Sequence, residues 1–191
     1  MDQNLILNMN EHRIKVCVYE TEKVDEFIKN KAKGTEVVRA HSLQEMVAQL
    51  KKPKRVMIHV KAWPAVDSFI EKLVPLLEMG DIIINGGNSE YQDMVRRVKD
   101  LEDKGILFVG SGVSGGEEGA RYKPSLMLGG FPGAWAAIKP IFKAICAKIR
   151  EDSFCDWEGE GDSGHLVKMV NNSIEYGDMQ LMHKAYDLMQ V

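Results

Sequence analysis

The sequence predicts an α/β protein with a doubly wound, mainly parallel sheet that ends in a long C-terminal helix. Three observations carry this. Short β-rich runs alternate with longer amphipathic stretches from Ile14 to Lys148, the pattern of a parallel sheet with helices on both faces. Two glycine-rich segments, Gly86-Gly87-Asn88-Ser89 and Gly110 to Gly119, each follow a predicted strand. The final segment, from about Gly164 to Val191, has no proline and repeats apolar residues at helical spacing.

The elements follow in order. Ile14 to Glu20 reads as a strand, Val24 to Lys31 as a helix and Glu36 to Arg39 as a short strand. Ser42 opens a helix with a capping box, because Glu45 three residues on can return a bond to the cap's N–H. Arg55 to Val60 is a buried-type strand, and Pro64 starts a helix to about Glu78, kinked or restarted at Pro75. Asp81 to Asn85 is a strand, Ser89 to Lys104 a helix, and Gly105 the residue that ends it. Ile106 to Val109 and Ser125 to Leu128 are strands, and Pro132 to Lys148 is a helix. In the last helix Leu166, Val170, Ile174, Leu181, Ala185 and Leu188 form a stripe that five further apolar residues widen. So broad an apolar surface calls for cover on more than one side.

With 191 residues, 45% hydrophobic and 28% charged, the chain can bury one sizeable core. Its net charge of -3 gives no reason to expect nucleic acid. Three cysteines without a CxxC pair suggest neither a disulfide framework nor a zinc site. No apolar run approaches the roughly 20 residues of a membrane span, and the start lacks the basic and apolar regions of a signal peptide. A cytoplasmic protein is expected.

Candidate chemistry lies in the glycine-rich segments and the last helix. Glycines permit positive φ and close backbone approach, so the run from Gly110 to Gly119 reads either as an anion-binding loop or as a plain surface loop. Gly86-Gly87 precedes a helix start, where N–H groups favour phosphate or carboxylate. Gly112-Val-Ser114-Gly-Gly116 also matches the nucleophile elbow of serine hydrolases, but residues 117–124 read as turn-like and not as the helix that motif requires. Lys168, Asn171, Asn172 and Glu175 fall on one helix face. Spacing alone leaves open a solvated ion pair or a desolvated lysine base with a carboxylic acid partner. His165 reads as a packing or capping residue, and the basic run Lys51 to Arg55 as a helix end.

These segments together resemble 6-phosphogluconate dehydrogenase, along essentially the whole chain from Gln3 to Met189. The likeness is densest at Gly86-Gly-Asn-Ser-Glu-Tyr91, in residues 105–122 and at Ile174-Glu-Tyr-Gly-Asp-Met-Gln-Leu181. The resemblance implies a Rossmann-like dinucleotide-binding domain over residues 1–163. Residues 164–191 would begin a linker helix to a helical domain that the chain lacks. It implies NADP-dependent oxidation and decarboxylation of 6-phosphogluconate to ribulose 5-phosphate. Lys168 would be the general base and Glu175 the acid. Asn88, Ser114, Gly115, Gly116, Asn172 and Tyr176 would bind substrate. Tyr19, Glu20, Thr21, Val60, Lys61, Ala62 and again Asn88 would lie along the cofactor. A homo-oligomer or a full-length subunit would be the partner.

Departures from the family pattern qualify this. The glycine-rich turn that opens the family is not present, and Asp2 stands where its last glycine would be, so the sheet is expected to lack its usual first strand. Glu20 stands where an arginine would meet the 2′-phosphate of NADP, which tilts preference towards NAD. Trp63 replaces a glycine and Asn171 a histidine. Turnover by the chain alone is expected to be undetectable, and a non-catalytic copy that binds a sugar phosphate or a subunit is the alternative.

Overall fold

A computed structural model describes residues 2–19, 24–60, 64–87 and 91–190. In chain order its first half comprises α1 (Asp2–Glu11), β1 (Cys17–Val18), α2 (Val24–Lys29), β2 (Val38–Arg39), α3 (Leu43–Gln49), β3 (Arg55–Ile58), α4 (Pro64–Leu73) and β4 (Ile82–Asn85). The second half comprises α5 (Tyr91–Glu102), β5 (Leu107–Ser114), α6 (Gly116–Tyr122), β6 (Ser125–Gly130), α7 (Trp135–Ile145), β7 (Lys148–Ile149), β8 (Asp152–Ser153), β9 (Cys155–Glu160) and α8 (Ser163–Met189).

The main sheet has the order β3-β4-β5-β6-β9. Its strands are parallel except across β5 and β6, which pair antiparallel from Val109↔Gly130 to Ser114↔Ser125. β1 and β2 pair parallel in a second sheet, and among the described residues neither bonds to β3. The parallel set is therefore split beside β1, where the sequence predicts a missing strand.

The three consecutive isoleucines of β4 show why the sheet must be covered on both faces. Ile83 joins Val56, Ile58, Met94 and Phe108 in one core, while Ile82 and Ile84 join Val109, Leu126, Ile138 and Phe142 in the other. Side chains alternate along a strand, so a continuous apolar run needs two apolar layers. Helices α3, α4 and α5 supply one layer, and α1 and α7 the other. On the second face the Asn8 side-chain amide donates to the carbonyls of Ala120 and Ile145, satisfying α6 and α7 backbone that would otherwise be buried unpaired.

Some elements follow the sequence reading and others depart from it. The Ser42 hydroxyl caps α3 by accepting from Glu45 N–H at 3.1 Å, but the Glu45 carboxylate accepts from His41 N–H rather than from the cap's own N–H. Pro75 sits in a short 3₁₀ turn that restarts the chain after α4. β5 continues to Ser114 through residues that read as a loop, and α6 replaces the expected turn. β9 and the β7–β8 hairpin have no counterpart in the sequence reading. The basic run is structural: Lys54 is buried and pairs with Asp81 and Glu78.

The reason for the glycine-rich β5 lies in α8. A Cβ at Gly112 would stand 2.6 Å from Lys168 Cβ, and one at Gly164 would stand 2.6 Å from the Met127 carbonyl oxygen. Glycine on both partners lets the start of α8 lie directly on β5 and β6. Further along, α8 leaves the sheet, and Ile174 (63% exposed), Leu181 (70%) and Leu188 (78%) face outward.

Candidate functional site

The carboxyl ends of β3, β4 and β5 converge on one cavity of about 630 Å³, with the first turns of α8 as its opposite wall. Open α/β sheets place ligands at this end because the turns there present backbone donors and strand-final side chains. Val60 follows β3, Gly86 and Gly87 follow β4, and Ser114 ends β5. From α8 come Lys168, Asn172, Glu175 and Tyr176.

Lys168 is the centre of the polar contacts. Its ammonium donates to Ser114 Oγ at 3.0 Å and to Asn172 Oδ1 at 2.7 Å. Both partners are neutral oxygens, so the arrangement places an amine at the wall without neutralising it. Lys168 and Asn172 are half-buried, whereas Glu175 and Tyr176 are exposed on the cavity rim. Steps of four and three put Lys168, Asn172 and Glu175 on the cavity wall. Asn171, grouped with them by spacing, is exposed and is not on that wall.

The turn after Ser114 combines two left-handed residues, Gly115 at φ 120° and Gly116 at φ 66°. Consecutive N–H groups in such a turn can face one anion. The turn also settles the hydrolase motif. A helix does follow Ser114 directly, contrary to the sequence reading, but the strained residue is Gly115 and not the serine. The nucleophile elbow strains the serine itself, and the side chain meeting Ser114 Oγ is a lysine rather than a histidine.

At the other end of the cavity stand Asp2, in the first turn of α1, and His59, just past β3. Asp2 Oδ1 lies 3.3 Å from His59 Nδ1. The bond from the His59 ring, helped by its charge and opposed by burial, holds the Asp2 carboxyl below its usual range. His59 escaped the sequence reading because it belongs to no motif; its signal was a polar residue at the carboxyl end of an apolar strand. Tyr19 packs against the α3–α4 core and does not line this cavity. Glu20, Thr21, Lys61, Ala62 and Asn88 lie outside the described residues.

A model described as the NAD binding domain of 6-phosphogluconate dehydrogenase matches residues 1–154, and one for that enzyme's C-terminal domain matches residues 164–191. The chain belongs to the 6-phosphogluconate dehydrogenase family. The decarboxylating 6-phosphogluconate dehydrogenases of Ovis aries and Homo sapiens are each 63% identical over 193 residues, covering 100% of this chain and 40% of theirs. The chain thus spans about 40% of the length of these relatives. A Plasmodium falciparum 6-phosphogluconate dehydrogenase, solved apo, with NADP+ and with 6-phosphogluconate, superposes with a TM-score of 0.95 at 40% identity, over 99% of this chain and 41% of that one. A Mycobacterium tuberculosis 3-hydroxyisobutyrate dehydrogenase shares the fold, with a TM-score of 0.81 at 18% identity over 98% of this chain and 61% of that one.

Proposed function

We propose that the chain carries the dinucleotide site and the amine-bearing helix of an NADP-linked oxidative decarboxylation of 6-phosphogluconate to ribulose 5-phosphate. The observation that carries this reading is Lys168 held between Ser114 and Asn172 on the wall of the strand-end cavity. The reading divides the chain at 163/164, with the dinucleotide-binding domain before and the first helix of a second domain after.

The dinucleotide would run along Val60, Gly86 and Gly87 at the strand ends, where the Gly87 turn packs so closely on the chain after β3 that an added Cβ would come to 3.0 Å from the Val60 carbonyl. By the resemblance to the family, Glu20, Thr21, Lys61, Ala62 and Asn88 would lie along the same ligand, whereas Tyr19 packs against the α3–α4 core. When bound, the nicotinamide supplies the hydride acceptor. The chain's own residues do the rest. The anion-binding nest at Gly115–Gly116, Asn172 and Tyr176 hold the sugar acid. Lys168 Nζ, once neutral, takes the proton of the C3 hydroxyl while Ser114 Oγ and Asn172 Oδ1 fix its direction. After loss of CO2, Glu175 supplies the proton that restores carbon, which its place on the rim permits. Glu20 favours a free ribose hydroxyl, so NAD should compete with NADP. A cytoplasmic setting and association with a second copy or a full-length subunit complete the proposal. Among the described residues no helix is long and apolar enough to cross a membrane.

Calorimetric titration of the chain with 6-phosphogluconate, NADP and NAD tests this. Binding of the sugar acid and of at least one dinucleotide is expected. Lys168→Ala removes a charge-assisted bond of about 1.5–3 kcal/mol, so sugar-acid affinity should drop roughly 10- to 100-fold with dinucleotide binding retained. Sugar-acid binding indifferent to Lys168→Ala would overturn the reading. Sugar-acid binding that depends on Lys168 but comes without any dinucleotide would support the non-catalytic alternative, which the Asp2 carboxylate on the cavity wall favours.

A further inference from the structure

His165 sits outside the cavity and takes no part in the chemistry above, yet it is buried at 7% exposure in the first turn of α8 with both ring nitrogens engaged. Nδ1 lies 2.7 Å from Asp162 Oδ1, and Nε2 lies 2.9 Å from the Gly87 carbonyl oxygen. A carbonyl oxygen only accepts, so Nε2 carries a proton and donates it. One further proton lies between Nδ1 and Oδ1. Whichever atom holds it, the Asp162–His165 unit has no net charge, which is what its burial requires. Asp162 is only 1% exposed.

The unit is seated in a gap that Gly110 of β5 leaves for it, since a Cβ there would stand 2.5 Å from His165 Nδ1 and 2.9 Å from Asp162 Oδ1. Its Nε2 proton reaches across to the turn that forms the dinucleotide side of the cavity. That turn is tied on its other side as well, because Gly87 N–H donates to Asn85 Oδ1 at 3.3 Å. Lys168 follows His165 by three residues on α8, so one helical turn separates the tether from the amine.

We propose that His165 is a positioning residue: through Nε2–H, with Asp162 fixing the tautomer, it locks the Gly86–Gly87 turn to the helix that carries Lys168. The two ligand-facing walls of the cavity are thereby held in one register. The proposal rests on the functional reading given above, and it assigns to a buried Asp–His pair the role of setting the distance between the dinucleotide wall and the amine.

Two measurements test it. Long-range proton–nitrogen correlation spectra of the wild-type chain should show His165 with a slowly exchanging proton on Nε2; a bare Nε2 would overturn the proposal whatever any variant does. His165→Leu fills the space without a donor, and His165→Gln restores a donor of similar reach. With folding checked by circular dichroism, His165→Leu should weaken 6-phosphogluconate binding about tenfold, as misplacement of a site wall does. His165→Gln should recover most of that loss. Equal losses in both variants, or no loss in either, would sink the positioning role. Lys168→Ala in the same titration separates the two ideas: if it weakens binding and His165→Leu does not, only the tether fails.

Discussion

The same substitution placed twice in α8 should have opposite effects. At Gly164 an alanine Cβ would meet three backbone atoms, the carbonyl oxygens of Met127 and Gly110 at 2.6 and 2.8 Å and the Gly129 nitrogen at 2.8 Å. None of these can swing aside as a side-chain tip can. Ordinary contact begins near 3.4 Å, so the first turn of α8 must lift by about 0.8 Å. Overpacking of this kind costs about 1–3 kcal/mol, and three rigid neighbours put it at the upper end. Helix propensity returns no more than about 1 kcal/mol. A net loss of about 2 kcal/mol is expected, together with separation of Lys168 Nζ from Ser114 Oγ beyond hydrogen-bond reach. At Gly177, in the same helix, an added Cβ meets nothing within 4 Å. There Gly→Ala should stabilise the helix by about 0.5–1 kcal/mol. Urea unfolding followed by tryptophan fluorescence should show a lower midpoint for Gly164→Ala, and amide exchange should show slower opening along α8 for Gly177→Ala. An unchanged midpoint and unchanged exchange for Gly164→Ala would refute the close-packing account of the glycine-rich strand.

Two other outcomes follow from charge and burial. Arg97 is only 2% exposed and is held chiefly by Asp67 of α4, with Asp93 at 3.9 Å as a weaker second partner. Asp67→Asn should therefore cost about 2 kcal/mol, less than the roughly 3–5 of a fully buried pair. The bond from Arg97, then Arg96, holds the Asp67 carboxyl below its ordinary 3.8. Its contribution is thus present above that value and fades as pH falls through the lower folded value, so wild type and Asp67→Asn should converge in stability in strong acid. Cys155 is buried, and desolvation, with Cys146 beside it, pushes its thiol up to about 12. Thiolate is the reactive form, so Cys155 should resist alkylation at pH 8 in the folded chain and react on unfolding. Rapid labelling of Cys155 without unfolding, read by mass spectrometry, would contradict this.

The layers of the fold were legible because they rest on local patterns. The three isoleucines of β4, the capped start of α3 and the amphipathic α5 each state their neighbours in a few residues. β5 beyond Val109 was not, because its glycines answer to α8, more than 50 residues later in the chain. Read locally, such a run is a loop. β9 was missed although Cys155 and Trp157 do alternate with Asp156 and Glu158, because the alternation is short and ends at a bulge, where Trp157 faces Leu128 and Gly159 faces Gly129 with Glu158 as the extra residue. α6 has two glycines in seven residues, which argues against a helix on propensity alone. In the site, helical spacing grouped Lys168, Asn172 and Glu175, which line one cavity wall, but carried Asn171 with them, since steps of three and four cannot say which edge of a helix face meets the sheet. The contact between Lys168 and Ser114 spans 54 positions and has no local trace except the glycine that permits it.

The way α8 leaves the sheet grades the site along its own length. At Gly164 and His165 the helix is buried and pinned to β5, β6 and the Gly87 turn. At Lys168 and Asn172 it is half-buried, and at Glu175 and Tyr176 it is exposed. Positional precision decreases in the same order, because a side chain is only as well placed as the packing that holds its backbone. The amine proposed to meet one hydroxyl proton sits at the middle grade, one turn from the pin at His165. The residue proposed to return a proton to carbon needs only to reach the open rim, and Glu175 is there. Catalysis that depends on orientation can lose about two orders of magnitude for 1 Å of error. The lysine proposed as the base therefore lies within one turn of the buried start of α8, and Gly112 of β5, whose Cβ would stand 2.6 Å from Lys168 Cβ, is the condition for its being there.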